Sequence, residues 1–231
     1  MNILLTYPRS GSHLTRFFLE LLTGQPTCGT KKHERDIPIY KNKFPEKIPF
    51  NIKNENDFCY HKFHCHVPPL EKVNKIIFLV RNPKEVLLRQ NDFKMNVSGS
   101  VCSFDKYFHL IDKFNEFQGE KKIFFYEDML TNKEEFIRDL YDFLKIDKPK
   151  RLEYVMKNLE KLYDLSSKGK NRYWGGVKSH GEINYYYNHK KNTIKKEFDE
   201  YLLKKLTDKR YRILVRKYFI PHNSESSDKL L

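Results

Sequence analysis

Four cysteines occur in the 231 residues, at 28, 59, 65 and 102, and no two of them stand in CxxC spacing. No apolar run approaches the ~20 residues of a membrane helix, no segment repeats, and neither a C2H2 zinc spacing nor an RNP-type aromatic motif is present. These absences count against a membrane span and against the commoner nucleic-acid-binding modules. The first apolar run begins at Ile3, leaving no room ahead of it for a secretory signal. With the cysteine usage, this sets the expectation of a reducing, cytoplasmic location.

What the chain does contain is enough apolar surface to fold. Hydrophobic residues make up 39% and aromatics 15%, a share that offsets ordering entropy in ways a disordered chain cannot. The length suits a single domain, expected over residues 1–220 with 221–231 as a mobile tail. Lys and Arg number 44 against 30 Asp and Glu, a formal charge of +14 that favours anionic partners.

Hydrophobic periodicity alternates between strand and helix. Ile3–Thr6 reads as a buried strand, and Leu14, Phe17, Phe18, Leu21 and Leu22 then form one helical face. Residues 24–56 are punctuated by Gly and Pro and read as a long loop. Strands are expected in 58–67, 75–80 and 121–130. Helices are expected after Arg81, around Phe104–Phe114, around Phe136–Leu144 and over Ile194–Leu206. The alternation implies an α/β fold, a central parallel sheet flanked by helices, with its chemistry at the carboxyl ends of the strands.

The knot between the first strand and helix, YPRSGSH, has the makings of an anion site. A strand turning into a helix aims several backbone N–H groups at one point, where the helix dipole is positive. Pro8 fixes a φ angle, Gly11 permits an unusual one, Ser10 and Ser12 offer hydroxyls, and Arg9 offers a permanent charge. The loop lacks the Walker Lys-Ser/Thr pair, which counts against ATP-dependent phosphoryl transfer. A plain strand-to-helix turn with serine caps is the structural alternative.

TYPRSGSHLTR resembles the 5′-phosphosulfate loop of the sulfotransferases. Cytosolic members carry a TYPKSGTTW-like loop, and tyrosylprotein members a PRSGTTLMR-like one that Pro8, Arg9, Ser10, Gly11, Leu14 and Arg16 match more closely. KIIFLVRNPKEVLLR resembles the family's second signature, a strand ending in Arg-Asn-Pro-Lys-Asp-Val. The resemblance implies a P-loop NTPase-like sulfotransferase fold and an enzyme. Its donor would be 3′-phosphoadenosine 5′-phosphosulfate (PAPS), its product adenosine 3′,5′-bisphosphate, and no metal would be required.

By this resemblance Arg9, Ser10, Gly11, Ser12, His13 and Leu14 hold the 5′ end of the donor, and Arg81 takes the 3′-phosphate. Arg89 stands where cytosolic members have Ser. Tyr126, in the strand-terminal Tyr-Glu-Asp motif, would lie near the base, and Lys168 and Gly169 would replace the C-terminal Arg-Lys-Gly loop. The solvated-charge reading of Arg81 and Arg89 is the alternative for that pair.

HKFHCHVPP matches the family's Lys-Thr-His and His-x-Pro pattern around the catalytic base. His64 is preferred as base and His66 stands second, with Lys62 assisting at the transferring group. A neutral imidazole is a competent base near neutral pH. Zinc binding and purely structural histidines are the competing readings of the same segment. The acceptor is expected to be a small molecule, glycan or peptide, shaped by residues 24–56 and 92–103. A phosphoryl-transferring P-loop kinase and a basic nucleic-acid-binding module are the rival functions, and the sequence assigns no oligomeric state.

Overall fold

A computed structural model describes residues 1–29, 58–90, 103–167 and 192–219. Its centre is a five-stranded sheet of β1 (Asn2–Thr6), β2 (Thr27–Cys28), β3 (Tyr60–His64), β4 (Lys75–Val80) and β5 (Glu120–Phe125). The strands run parallel in the order β2-β3-β1-β4-β5. Ile3–Leu5 and Ile76–Val80 are buried throughout, as central strands covered on both faces must be.

Helices flank both faces. On one, Leu4, Ile77, Leu79 and Phe124 meet Phe17 and Phe18 of α1 (Ser12–Thr23). On the other, Leu5, Phe78 and Val80 meet Leu87 of α2 (Pro83–Gln90), Tyr107 and Phe108 of α3 (Phe104–Glu116) and Phe198 of the later helix Asn192–Leu206. Beyond β5 the chain continues through α4 (Tyr126–Thr131), α5 (Lys133–Leu144), α6 (Pro149–Lys157) and α7 (Leu159–Ser167), then α8 (Asn192–Leu206) and α9 (Arg212–Tyr218). This is the α/β architecture that the periodicity implies.

Three features differ from the sequence expectation. Thr27 and Cys28, expected in loop, add to the edge of β3. They are held there by the buried pair Arg16 and Glu20: Arg16 Nε donates to Thr27 Oγ1 (2.8 Å) and Nη2 to Thr27 O (3.0 Å), while Glu20 Oε1 accepts from Thr27 N (2.9 Å). The segment Tyr126–Thr131 leaves the sheet as a helix, because pairing ends at Phe125 and two acidic residues in the first turn favour a helix start. Finally, Cys65 is disulfide-bonded while Cys28 and Cys59 are outside any disulfide, a bond that the reducing setting expected from cysteine spacing does not account for.

Candidate active site

Strand register brings the expected site residues to one edge of the sheet. Thr6 pairs with His64 on one side and with Leu79 on the other, and Val80 pairs with Phe125. The loop after β1, the end of β3, Arg81 after β4 and Tyr126 after β5 therefore lie side by side at the carboxyl ends of the strands, where open α/β sheets carry their ligands.

The first loop turns through a left-handed pair. Arg9 has φ 69 and Gly11 φ 92, flanking Ser10, an arrangement that curls backbone N–H groups around a concavity. Ser10 N bonds back to Tyr7 O (3.3 Å), and Thr15 N is the first to close the helix, on Gly11 O (3.1 Å). The N–H groups of Ser12, His13 and Leu14 thus sit in the first turn, where no intrahelical acceptor exists. Gly11 is the N-cap and makes no side-chain cap bond, so serine capping does not explain the loop. Ser10 Oγ is wholly buried without a hydrogen-bond partner.

Each remaining loop residue has a distinct environment. Arg9 is exposed, His13 is half-buried and Ser12 is buried. Leu14 packs its side chain into the core, leaving its backbone as its contribution to the loop. Arg16, part of the motif match, turns away to pin β2. Gly11 is required sterically as well as conformationally, since a Cβ there would lie 2.4 Å from Tyr126 Cδ2 and 2.9 Å from Met129 Cε.

Arg81 is no solvated charge: it is only 5% exposed. Its Nη1 donates to Arg9 O (2.9 Å), its guanidinium lies 4.2 Å from the Tyr126 ring centroid, and its Nη2 is 3.9 Å from Glu85 Oε2. Its Nε is buried with no partner. The second anion motif is thereby fastened to the first through one guanidinium. Tyr126 is approached by both Gly11 and Arg81 and is buried, so its ring supports both loops.

The third strand end carries the histidine. Lys62 and His64 share a face of β3, and Lys62 is buried in register with Leu4. His64 Nδ1 is 3.0 Å from both Thr6 O and Thr6 Oγ1. The strand stops at His64, because Cys65 turns at φ 54. The alternation that would have placed His66 beside His64 ends there, and His66 is exposed.

Among the described residues no group of three or more His, Cys, Asp or Glu is arranged to hold a metal ion, and no helix is long and apolar enough to cross a membrane. Lys168, Gly169, the side chain of Arg89, residues 30–57 of the long loop, residues 91–102 and the C-terminal tail lie outside the described residues.

Several supporting residues escape sequence reasoning. Tyr107, its phenol kept protonated by burial, donates to Arg81 O (2.8 Å). Glu127 Oε1 accepts from Asn82 N (3.1 Å) and its Oε2 from the half-buried phenol of Tyr218 (2.7 Å). Lys217 pairs with Asp128 at 2.5 Å. Helix α9 is thus clamped to the Arg-Asn-Pro turn through the Tyr-Glu-Asp motif. The motif itself was legible in the sequence, but its partners in α9 were not.

The sequence matches the family model described as Sulfotransferase domain over residues 2–210. A comparison with curated proteins found no match. Among solved structures, the chain is similar to the crystal structure of mouse sulfotransferase SULT7A1 complexed with PAP, with a TM-score of 0.58, 17% identity, and coverage of 93% of this chain and 87% of that one. That likeness bears on the fold. The family match spans the whole sheet, both loop motifs and the helices through α8, and on that match this chain belongs to the sulfotransferase family.

Proposed function

We propose that the protein transfers a sulfuryl group from PAPS to an acceptor hydroxyl or amine, in line, on a small molecule, glycan or peptide. The observation that carries this reading is the joining of two anion motifs through Arg81, whose guanidinium holds the first loop by Arg9 O while its Nε stays buried without a partner. Two adjacent anion sites suit a nucleotide that bears one phosphate on each side of its ribose. Ser10 Oγ, a buried donor with no protein acceptor, and the glycine that keeps the loop clear of Tyr126 also fit such a ligand.

The residues divide the work as follows. Backbone N–H groups of residues 9–14, apart from Ser10 N on Tyr7 O, hold the 5′ end with the hydroxyls of Ser10 and Ser12, and Arg81 holds the 3′-phosphate, with Arg89, Lys168 and Gly169 assigned to the same end by resemblance. When bound, the donor supplies an activated phosphosulfate. His64 removes the acceptor proton, and His66, exposed beyond the strand end, is the second choice. Arg9 stabilises charge on the leaving phosphate, and Lys62 assists at the transferring group. Oriented donors of this kind contribute about 3–4 kcal/mol each to transition-state stabilisation. The loop has no Lys-Ser/Thr pair of the kind that holds Mg²⁺ in phosphoryl-transfer loops, so turnover should persist with EDTA.

Calorimetry tests the reading: adenosine 3′,5′-bisphosphate should bind more tightly than ATP with Mg²⁺ in moderate salt. Arg81→Ala should weaken bisphosphate binding by about 10- to 100-fold, the loss expected for a charged hydrogen bond. His64→Ala should spare binding and abolish transfer. Preference for ATP would favour the kinase reading. Steeply salt-dependent nucleic-acid binding with no bisphosphate preference would favour the binding module. Either outcome overturns the proposal.

A further inference from the structure

The contacts of His64 specify which of its ring nitrogens carries the proton. Nδ1 faces Thr6 O and Thr6 Oγ1, each at 3.0 Å. A carbonyl oxygen has no hydrogen to give, so the first contact is a hydrogen bond only if Nδ1 is protonated. The hydroxyl points to the same answer, because Thr6 Oγ1 donates its single proton to Tyr7 O at 3.0 Å and meets Nδ1 as an acceptor. The opposite tautomer would set the Nδ1 lone pair against the lone pairs of both oxygens.

We propose that Thr6 is a positioning residue that fixes His64 as the Nδ1–H tautomer, leaving the basic lone pair on Nε2. In water a free imidazole prefers the Nε2–H form, so the end of β1 reverses the default. The placement follows from the fold: Thr6 is the last residue of β1 and stands in register with His64, the last of β3. Both strands end at the same level, and the carbonyl of one comes within reach of the ring of the other.

The inference rests on the reading of His64 as the base. In the transfer, Nε2 accepts the proton from the acceptor O–H or N–H, and the electron pair of that bond forms the new bond to sulfur. The bond between sulfur and the bridging oxygen breaks, its pair leaving with the phosphate. Nδ1 keeps its proton throughout, and the positive charge that develops on the ring is met by the two Thr6 oxygens, so no second proton moves.

The test is nitrogen-15 NMR of histidine-labelled protein at a pH where the imidazole is neutral, with the His64 signals assigned by their loss in His64→Gln. The wild type should show a protonated Nδ1 and an unprotonated Nε2. Thr6→Val keeps the β-branched shape and removes one acceptor. With the Thr6 carbonyl still facing Nδ1, it should keep Nδ1–H as the main form but raise the share of Nε2–H and lower kcat several-fold at unchanged bisphosphate affinity, and Thr6→Ser should restore both. A predominant Nε2–H tautomer in the wild type, or Thr6→Val with wild-type tautomer and kcat, overturns the proposal. Turnover retained in His64→Gln beside a clear Nδ1–H signature would instead sink the base assignment and leave the hold of Thr6 on the ring standing.

Discussion

Gly11→Ala isolates the physical demand that the anion loop places on its sequence. Two costs arise at that position. Alanine at φ 92 incurs the left-handed penalty of about 1–2 kcal/mol. Its Cβ would also stand 2.4 Å from Tyr126 Cδ2 and 2.7 Å from Cε2, so the ring must move within a packed site, at about 1–3 kcal/mol. The sum is about 2–5 kcal/mol, or roughly 4–20 °C in Tm for a chain of this size. Gly24→Ala is the control. It has φ 68, but the atoms nearest its new Cβ are those of the Arg151 guanidinium, which can swing aside by giving up its Nη1 bond to Leu21 O, so the cost is the backbone term of about 1–2 kcal/mol and about 1 kcal/mol for that bond.

The two variants should also part in function, because the Tyr126 ring that moves in Gly11→Ala is the one on which Arg81 stacks. Thermal denaturation and bisphosphate calorimetry on both give the comparison: Gly11→Ala should lose at least tenfold in affinity and Gly24→Ala nothing measurable. Equal loss of affinity in the two, or full bisphosphate affinity in Gly11→Ala, would refute the argument that the ring and the loop are packed as one unit.

Two further predictions concern buried and bridging carboxylates. Glu20→Ala removes the acceptor for Thr27 N and Oγ1 and the carboxyl that acts on buried Arg16, which should cost about 3–5 kcal/mol in chemical denaturation; a loss below about 1 kcal/mol would show that β2 is held by other means. Asp105 is held below the usual carboxylate range by its bond to Lys205, and Tyr201 adds a second. A depressed carboxyl stabilises the fold above its unfolded pKa and loses that contribution as the pH falls through the folded value. The stability gap between wild type and Asp105→Asn, about 0.2–1 kcal/mol near neutrality for so exposed a pair, should therefore close in acid, and a gap that widens there would refute the assignment.

Much of the architecture was legible because periodicity is a local property. KIIFLV is a strand at any position where both faces are covered, and the 3.6-residue spacing of Phe17, Phe18, Leu21 and Leu22 makes one helical face irrespective of neighbours. The loop and the Arg-Asn-Pro turn were visible for a similar reason, since each packs its chemistry into a few consecutive residues. The helix at Tyr126 is hidden in the apolar run of KKIFFYEDML, where only Glu127 and Asp128 favour a helix start and the end of pairing with β4 is set by register.

The sequence by itself determined the alternation of strands and helices, the two anion motifs, their order and the Lys-x-His pattern. Tertiary structure alone decided that Arg81 fastens one motif to the other, that Arg16 serves β2 instead of the loop, and that the strand stops at His64, leaving His66 exposed. It also decided which nitrogen of His64 faces Thr6. Each of these depends on parallel register between residues dozens of positions apart, and register is settled by the packing of both faces of the sheet at once, a condition that no short stretch of sequence contains.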